Sequence, residues 1–318
     1  TFAPWTPERV VDAAEARALI EAAGWDLALA RVEPFGHGFD NTAFLVDDAW
    51  VVRFPRRRVA APLLVTEAAL LPWLAPQVPL PVPVPCLVGQ PSERFPWAFT
   101  GYRRLAGRTA CSADLTDAQR LAAAAALARF LAALHALPAD EARARGAGGD
   151  AFAKLDVGPR VLKARGDLAA AHERGLLDAA TLERFEPIFA DLTTLGPRPP
   201  AALVHGDLYA QHVLVDDVAA PAGVIDWGDV HVGDRALDLA FAWLFLPPAA
   251  HAAFRAAYGP IDDDTWKLAR FRAVCHAAID LVYTSEVGEH DLLREIRRAL
   301  ARSEEHTSEL QSQFHLVC

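Results

Sequence analysis

Methionine is absent from this 318-residue sequence, which leads us to expect an initiator that is missing or was removed. Cysteine is scarce: Cys86, Cys111, Cys275 and Cys318 are scattered, with no CxxC spacing. That pattern excludes a zinc-ligand set or a disulfide frame and predicts buried free thiols in an intracellular, cytoplasmic protein. Long apolar runs are lacking too. No run free of charge and proline approaches the roughly 20 residues that a helix needs to cross a bilayer. The longest candidate, Leu237 to Ala250, is broken by Asp238 and by Pro247-Pro248. Thr1 to Val11 has neither the basic segment nor the apolar stretch of a secretory signal. Positive charge is in deficit: 31 Lys and Arg stand against 41 Asp and Glu, a net charge of -10. This argues against nucleic acid as a partner and favours a cationic small molecule. Neither nucleic acid nor membrane is expected as a partner.

What is present is enough for a large core. Hydrophobic residues make up 53% of the sequence, and a chain of this length buries one large core or two smaller ones. Residues 302–318 stand apart. Arg302 to Ser312 resembles the in-frame translation of a common sequencing-library adapter, so residues 302–318 are expected to be a non-native tail outside the fold.

The pattern of the remaining chain changes near residue 100. Before it, Val10 to Ala23 has helical spacing. Arg31 to Phe35, Thr42 to Val46 and Trp50 to Phe54 read as strands, separated by the Gly36-His37-Gly38-Phe39-Asp40-Asn41 turn and by Asp47-Asp48. A helix is predicted from Pro62 to Leu74. Pro76 to Pro85 carries five prolines and must be extended. After residue 100, Thr116-Asp117-Ala118-Gln119 is a capping box that opens a helix with Leu127, Phe130, Leu131 and Leu134 on one face. Another helix is expected from Asp178 to Leu195, and helices again from Asp238 to Ala301. The order predicts a β-rich lobe over residues 1–100, a hinge, and a helical lobe over residues 101–301 with a short hairpin insert.

The chemistry lies in that insert. His205-Gly206-Asp207 is followed by His212 and then by Asp226. Short apolar runs, Ala201 to Val204, Val213 to Val215 and Gly223 to Ile225, flank the pieces and read as buried strands. Two carboxylates and a histidine at strand ends suit phosphoryl transfer: one Asp takes the proton of an attacking hydroxyl, while the other holds a metal that bridges nucleotide phosphates.

His205-Gly206-Asp207-Leu208-Tyr209 with His212, Val224-Ile225-Asp226-Trp227-Gly228, and Gly233-Asp234 to Asp238-Leu239-Ala240 together resemble the aminoglycoside phosphotransferase/choline kinase family. Gly36 to Asn41, Trp50 to Arg57 and Phe99 to Gly107 extend the likeness over nearly the whole chain outside the tail. The resemblance implies an α+β, bilobal, protein-kinase-like fold with a small β-rich N-terminal lobe and a larger, mainly helical C-terminal lobe. It implies Asp207 as catalytic base, Asp226 as the principal Mg²⁺ ligand, and ATP or GTP as phosphate donor. Position 212 departs from the family, most of which has asparagine there. Imidazole is a poorer Mg²⁺ ligand than an amide oxygen, so His212 either binds the metal through one nitrogen or contacts water or phosphate. The macrolide-phosphorylating branch of the family also resembles this chain in having histidine there.

Arg53 stands where the kinase-like fold usually has lysine, and Glu67 on the next helix is its expected partner. The amides of Gly36 to Phe39, including Gly38, would cover the phosphates, and Tyr102 in the hinge would contact the nucleotide. The implied partners are a nucleoside triphosphate and a small hydroxyl-bearing acceptor. Plainer readings stand beside these. The Gly-x-Gly is a turn and Arg53–Glu67 an ordinary ion pair. Under the same plain reading His135 is a packing histidine, Asp238 braces the loop, and Asp262-Asp263-Asp264 is a solvated helix start. Three functions follow: an aminoglycoside or macrolide kinase that confers resistance, a kinase for an amino alcohol or sugar, or an inactive nucleotide-binding module. Phe241, Trp243, Phe245, Trp266 and Tyr283 would line a macrolide pocket or else belong to the core.

Overall fold

The computed structural model describes residues 6–38, 40–190, 192, 198 and 201–315, with the side chains of 37 and 303–315 left undescribed. Phe39, the expected helix end near Leu195, the opening residues of the chain and Cys318 lie outside the described residues.

Helix α1 (Ala13–Ala22) is capped by Asp12, whose side chain accepts from the Glu15 amide, and packs on an antiparallel sheet. The sheet contains β1 (Val32–His37), β2 (Asn41–Val46), β3 (Trp50–Pro55), β4 (Leu87–Gly89) and β5 (Phe99–Arg103), in the order β1-β2-β3-β5-β4. Asp47 and Asp48 turn β2 into β3 with both φ values positive, and the Ala49 amide donates to the Val46 carbonyl at 3.0 Å to close the turn. Alternating residues Phe44, Val46, Val52 and Phe54 point into one core with Leu19, Ile20, Phe95 and Phe99. Helix α2 (Ala61–Leu74) lies between β3 and β4 in the chain: Leu70, Leu71 and Leu74 belong to the large helical core, whereas Glu67 pairs with Arg53 on β3. β5 straddles residue 100, so the sheet continues to Arg103.

The second lobe begins with β6 (Arg108–Thr109) and α3 (Asp117–His135), whose capping box forms as the sequence predicts, with Thr116 and Gln119 bonding reciprocally. α4 (Ala139–Ala144), α5 (Val157–Glu173) and α6 (Ala179–Ala190) follow. The insert contributes β7 (Ala202–Val204), β8 (Val213–Val215), β9 (Pro221–Val224) and β10 (His231–Gly233). β10 pairs with β7, and β8 lies between β6 and β9 in a three-stranded sheet. α7 (Ala236–Phe245), α8 (Pro248–Tyr258), α9 (Asp263–Val287) and α10 (His290–His315) close the lobe. The fold is α+β and bilobal.

Several expectations need correction. Cys86 is exposed, while Cys111 and Cys275 are buried and burial pushes both thiols up to about 12, which leaves them unreactive. Pro76 lies in a short 3-10 turn, Ala75–Gln77, and not in extended chain. α10 runs past Ala301, and Arg302 bonds to the Phe245 carbonyl and to Asp117. Every residue of α7 is buried, so Phe241, Trp243 and Phe245 are core and line no acceptor pocket. The helical stretch Arg58–Gln77 is long and apolar enough to cross a membrane by length and hydropathy. In this fold its Leu64, Leu70, Leu71 and Leu74 are buried.

Candidate active site

β7 delivers the chain into His205-Gly206-Asp207. Gly206 has φ +85, and a Cβ there would lie 2.3 Å from the Asp229 carbonyl oxygen, so only glycine fits. The buried carboxylate of Asp238 accepts from the amides of His205 at 2.7 Å and Gly206 at 2.9 Å. His135 approaches the same carboxylate with Nε2 at 3.0 Å, and its Nδ1 meets the Tyr258 hydroxyl at 2.8 Å. Asp238 and His135 are therefore bracing groups. His205 Nε2 donates to the Ile225 carbonyl at 3.0 Å, which leaves Nδ1 to accept from the Asp207 amide at 3.3 Å. Asp238→Ala strands two buried amides and is expected to cost about 3–5 kcal/mol. Urea unfolding measures this, and an unchanged midpoint would deny Asp238 its bracing role.

Asp207 is ringed by basic groups. Lys154 Nζ lies 3.7 Å from Oδ1, His276 Nδ1 3.8 Å and Arg272 NH2 3.9 Å, while His212 Nδ1 lies 4.0 Å from Oδ2. Burial opposes its charge, yet Lys154, His276, His212 and Arg272 together hold the carboxyl well below the usual carboxylate range. The group is a standing acceptor, 28% exposed, with Oδ2 on its less crowded side.

Asp226 follows β9 with φ +62, left-handed for a residue with a side chain. Such strain concentrates where function fixes the backbone. Its Oδ1 accepts from Arg53 NH2 at 3.0 Å, and its Oδ2 lies 3.3 Å from His212 Nε2. Arg53 NH1 donates to Glu67 Oε2 at 2.6 Å. β3, α2 and the insert thus meet through one guanidinium fork. Although burial disfavours its charge, Glu67 and Asp226 hold Arg53 above its ordinary value. Burial outweighs the pull of Arg53 and pushes the Glu67 carboxyl up to about 7. Tyr102 opposes Val51 across β3 and β5, on the sheet face of Arg53, and burial pushes its hydroxyl up to about 12. Gly36 and Gly38 sit at the β1–β2 hairpin with open space where a Cβ would stand. The Gly38 amide is already bonded to the Asn41 carbonyl at 3.0 Å. Among the described residues no contact joins these glycines to Asp207 or Asp226.

The donor set can be tested against Mg²⁺. Among the described residues there is no cluster of three or more His, Cys, Asp and Glu arranged for a metal. Mg²⁺ asks for less, because it commonly takes one or two carboxylates and fills its octahedron with waters and phosphates. Asp226 is 48% exposed and offers an oxygen. His212 Nδ1 faces the Asp207 carbonyl at 2.7 Å and must donate to it, so neutral His212 turns the lone pair of Nε2 toward Asp226 Oδ2. Their 3.3 Å separation suits two neighbouring ligands of one ion. Burial opposes the imidazolium, but Asp226 and Asp207 push its pKa up to about 9. A cation at Asp226 or a proton on His212 answers the same negative charge. The residues fit a metal held by Asp226, with His212 beside it.

Lys154, Arg272 and His276 have no counterpart in the sequence motifs. The spacing of Arg272, His276 and Asp280 places them on one face of α9, which was the available signal, but nothing in that spacing points to Asp207.

Two lobes joined by an arginine fork, with paired carboxylates at the junction, define a kinase-like phosphotransferase. The chain belongs to the phosphotransferase enzyme family (APH), whose model matches residues 31–272. Among solved structures, the GDP and kanamycin complex of APH(2")-IIia superposes with a TM-score of 0.68 at 24% identity, over 92% of this chain and 98% of that one. The macrolide 2'-phosphotransferase MphH from Brachybacterium faecium gives 0.58 at 27% identity, over 91% and 97%. A 61-residue stretch is 48% identical to the viomycin phosphotransferase of Streptomyces vinaceus and covers 18% of this chain and 21% of that protein. This last match therefore spans about a fifth of that relative's length.

Proposed function

We propose that the chain transfers the γ-phosphate of ATP or GTP to a hydroxyl of an antibiotic in the cytoplasm and so confers resistance by O-phosphorylation. One observation carries the reading: Asp207 and Asp226 converge on His212, while Arg53 ties Asp226 to the sheet lobe at 3.0 Å. The donor phosphates would lie against Arg53 and the β1–β2 hairpin, with Tyr102 toward the nucleotide. Asp207 orients the acceptor hydroxyl and takes its proton on Oδ2. The hydroxyl oxygen bonds to the γ-phosphorus, and the bridging oxygen leaves with the nucleoside diphosphate. Mg²⁺ held at Asp226 with His212 beside it would neutralise phosphate charge.

An aminoglycoside or a similarly cationic antibiotic fits this chain better than a macrolide. The all-buried α7 offers macrolides no aromatic wall. Tyr283 on α9 instead lies in the field of Asp280 and Glu289, and the whole chain carries -10. Expression in a susceptible bacterium is expected to raise the tolerated concentration of one antibiotic class, with Asp207→Asn removing the effect. Unchanged susceptibility to aminoglycosides, viomycin and macrolides alike would turn the reading toward an amino alcohol or sugar kinase.

A further inference from the structure

Three basic side chains face Oδ1 of Asp207, and they are not equivalent. Lys154 is held by two acceptors: its Nζ donates to Asp229 Oδ2 at 2.5 Å and to the Gly206 carbonyl at 2.9 Å. Arg272 is not. It is only 7% exposed, and among the described residues its sole ion-pair neighbour is Asp207 at 3.9 Å. Its one hydrogen bond to a protein group runs from NH2 to His276 Nδ1 at 3.3 Å. A guanidinium carries five N–H donors in a rigid fork, and a buried charge short of partners is costly. The fork matches anionic oxygens of a phosphoryl or carboxylate group.

His276 explains why Arg272 points where it does. Because Nδ1 accepts from Arg272, the neutral ring carries its proton on Nε2, which stands 2.9 Å from Asp280 Oδ2 without a hydrogen bond between them. The imidazole is 7% exposed and packs against the Tyr209 ring at 4.7 Å between centroids. Arg272, His276 and Asp280 follow one another at intervals of four residues along α9, so they form one row aimed at the catalytic loop.

We propose that Arg272 grips the phosphoryl group as it passes to the acceptor, and that His276 is a positioning residue that holds the guanidinium in place. This rests on the kinase reading above. The acceptor oxygen forms its bond to phosphorus while the bond to the bridging oxygen breaks. The electron pair departs with the nucleoside diphosphate, and the acceptor proton goes to Asp207. Arg272 donates to the non-bridging oxygens, where negative charge stands throughout the transfer. One preorganised donor of this kind contributes about 10²–10³-fold to turnover.

An anionic group on the acceptor would satisfy the same fork, and kinetics separate the two sources. In the full chain, Arg272→Gln is expected to lower kcat about 10²–10³-fold while the acceptor KM stays within about threefold. Arg272→Lys recovers part of the loss, and millimolar methylguanidine restores part of the turnover of Arg272→Ala. His276→Gln keeps an oxygen that accepts from Arg272 and stays within about tenfold of wild type, whereas His276→Leu falls with Arg272→Gln. Thermal melts establish that each variant is folded, and if Arg272→Gln is not, Arg272→Lys decides. An unchanged kcat in a folded arginine variant overturns the proposal. So does a loss carried wholly by acceptor KM, which assigns the fork to the acceptor's own anion. If the wild-type chain phosphorylates no acceptor, the kinase reading fails and this one falls with it.

Discussion

Replacing Asp207 with asparagine is expected to lower kcat by about 10²–10⁴-fold, the usual share of a positioned proton acceptor, while nucleotide affinity stays near wild type. The amide keeps the shape of the side chain beside Lys154 and Arg272, but it cannot hold the proton of the acceptor hydroxyl. The wild-type carboxyl is held below its ordinary range by Lys154, His276, His212 and Arg272 against the effect of burial. It therefore stays ionised throughout the pH range in which such an enzyme is assayed. An acid limb in kcat above about pH 4 must belong to another group. Steady-state kinetics and nucleotide titration on the same preparations test this. Wild-type turnover in the variant would remove Asp207 from the reaction.

Replacing Asp226 with asparagine is expected to raise the Mg²⁺ concentration for half-maximal activity at least tenfold, on the scale of about 10–100-fold seen even for groups behind the ligands. Asparagine is the right probe because Asp226 has φ +62, and asparagine tolerates that left-handed backbone better than alanine does. The variant also removes the charge that Arg53 meets at 3.0 Å. The nucleotide KM should therefore rise together with the metal requirement. A variant with an unshifted Mg²⁺ titration would place the metal elsewhere and leave Asp226 as an ion-pair partner of Arg53 and His212.

The division into a sheet lobe and a helical lobe was legible in the sequence because its signals are local. Short β-branched and aromatic runs marked β2 and β3, the Asp47-Asp48 turn joined them, and Thr116 with Gln119 announced α3. Asp207, Asp226, Arg53 and Glu67 were legible as a set because their motifs come in a fixed order, and the fold joins the last three by direct contact. What local pattern cannot show is which apolar side chains a third element will cover. Phe241, Trp243 and Phe245 look the same in sequence whether they line a pocket or fill a core. α9 and α10 pack on α7, and all three side chains are buried in the core. Arg272 and His276 were hidden for a related reason. α9 has buried residues along much of its length, and Arg272 and His276 meet Asp207 only through the packing of the helical lobe. α5 was missed because Val157 to Glu173 has a weak apolar face, with only Ala164, Leu168 and Ala171 buried.

The most direct test of the central claim is the product mass from purified full-length chain incubated with Mg²⁺ and either ATP or GTP. Aminoglycosides, viomycin, macrolides and simple amino alcohols serve as acceptors. The account predicts the gain of one phosphate on a cationic antibiotic, absent with Asp207→Asn and fixed to one preferred nucleotide. Phosphate transferred only to an amino alcohol or sugar, or nucleotide bound with no acceptor modified, would contradict it.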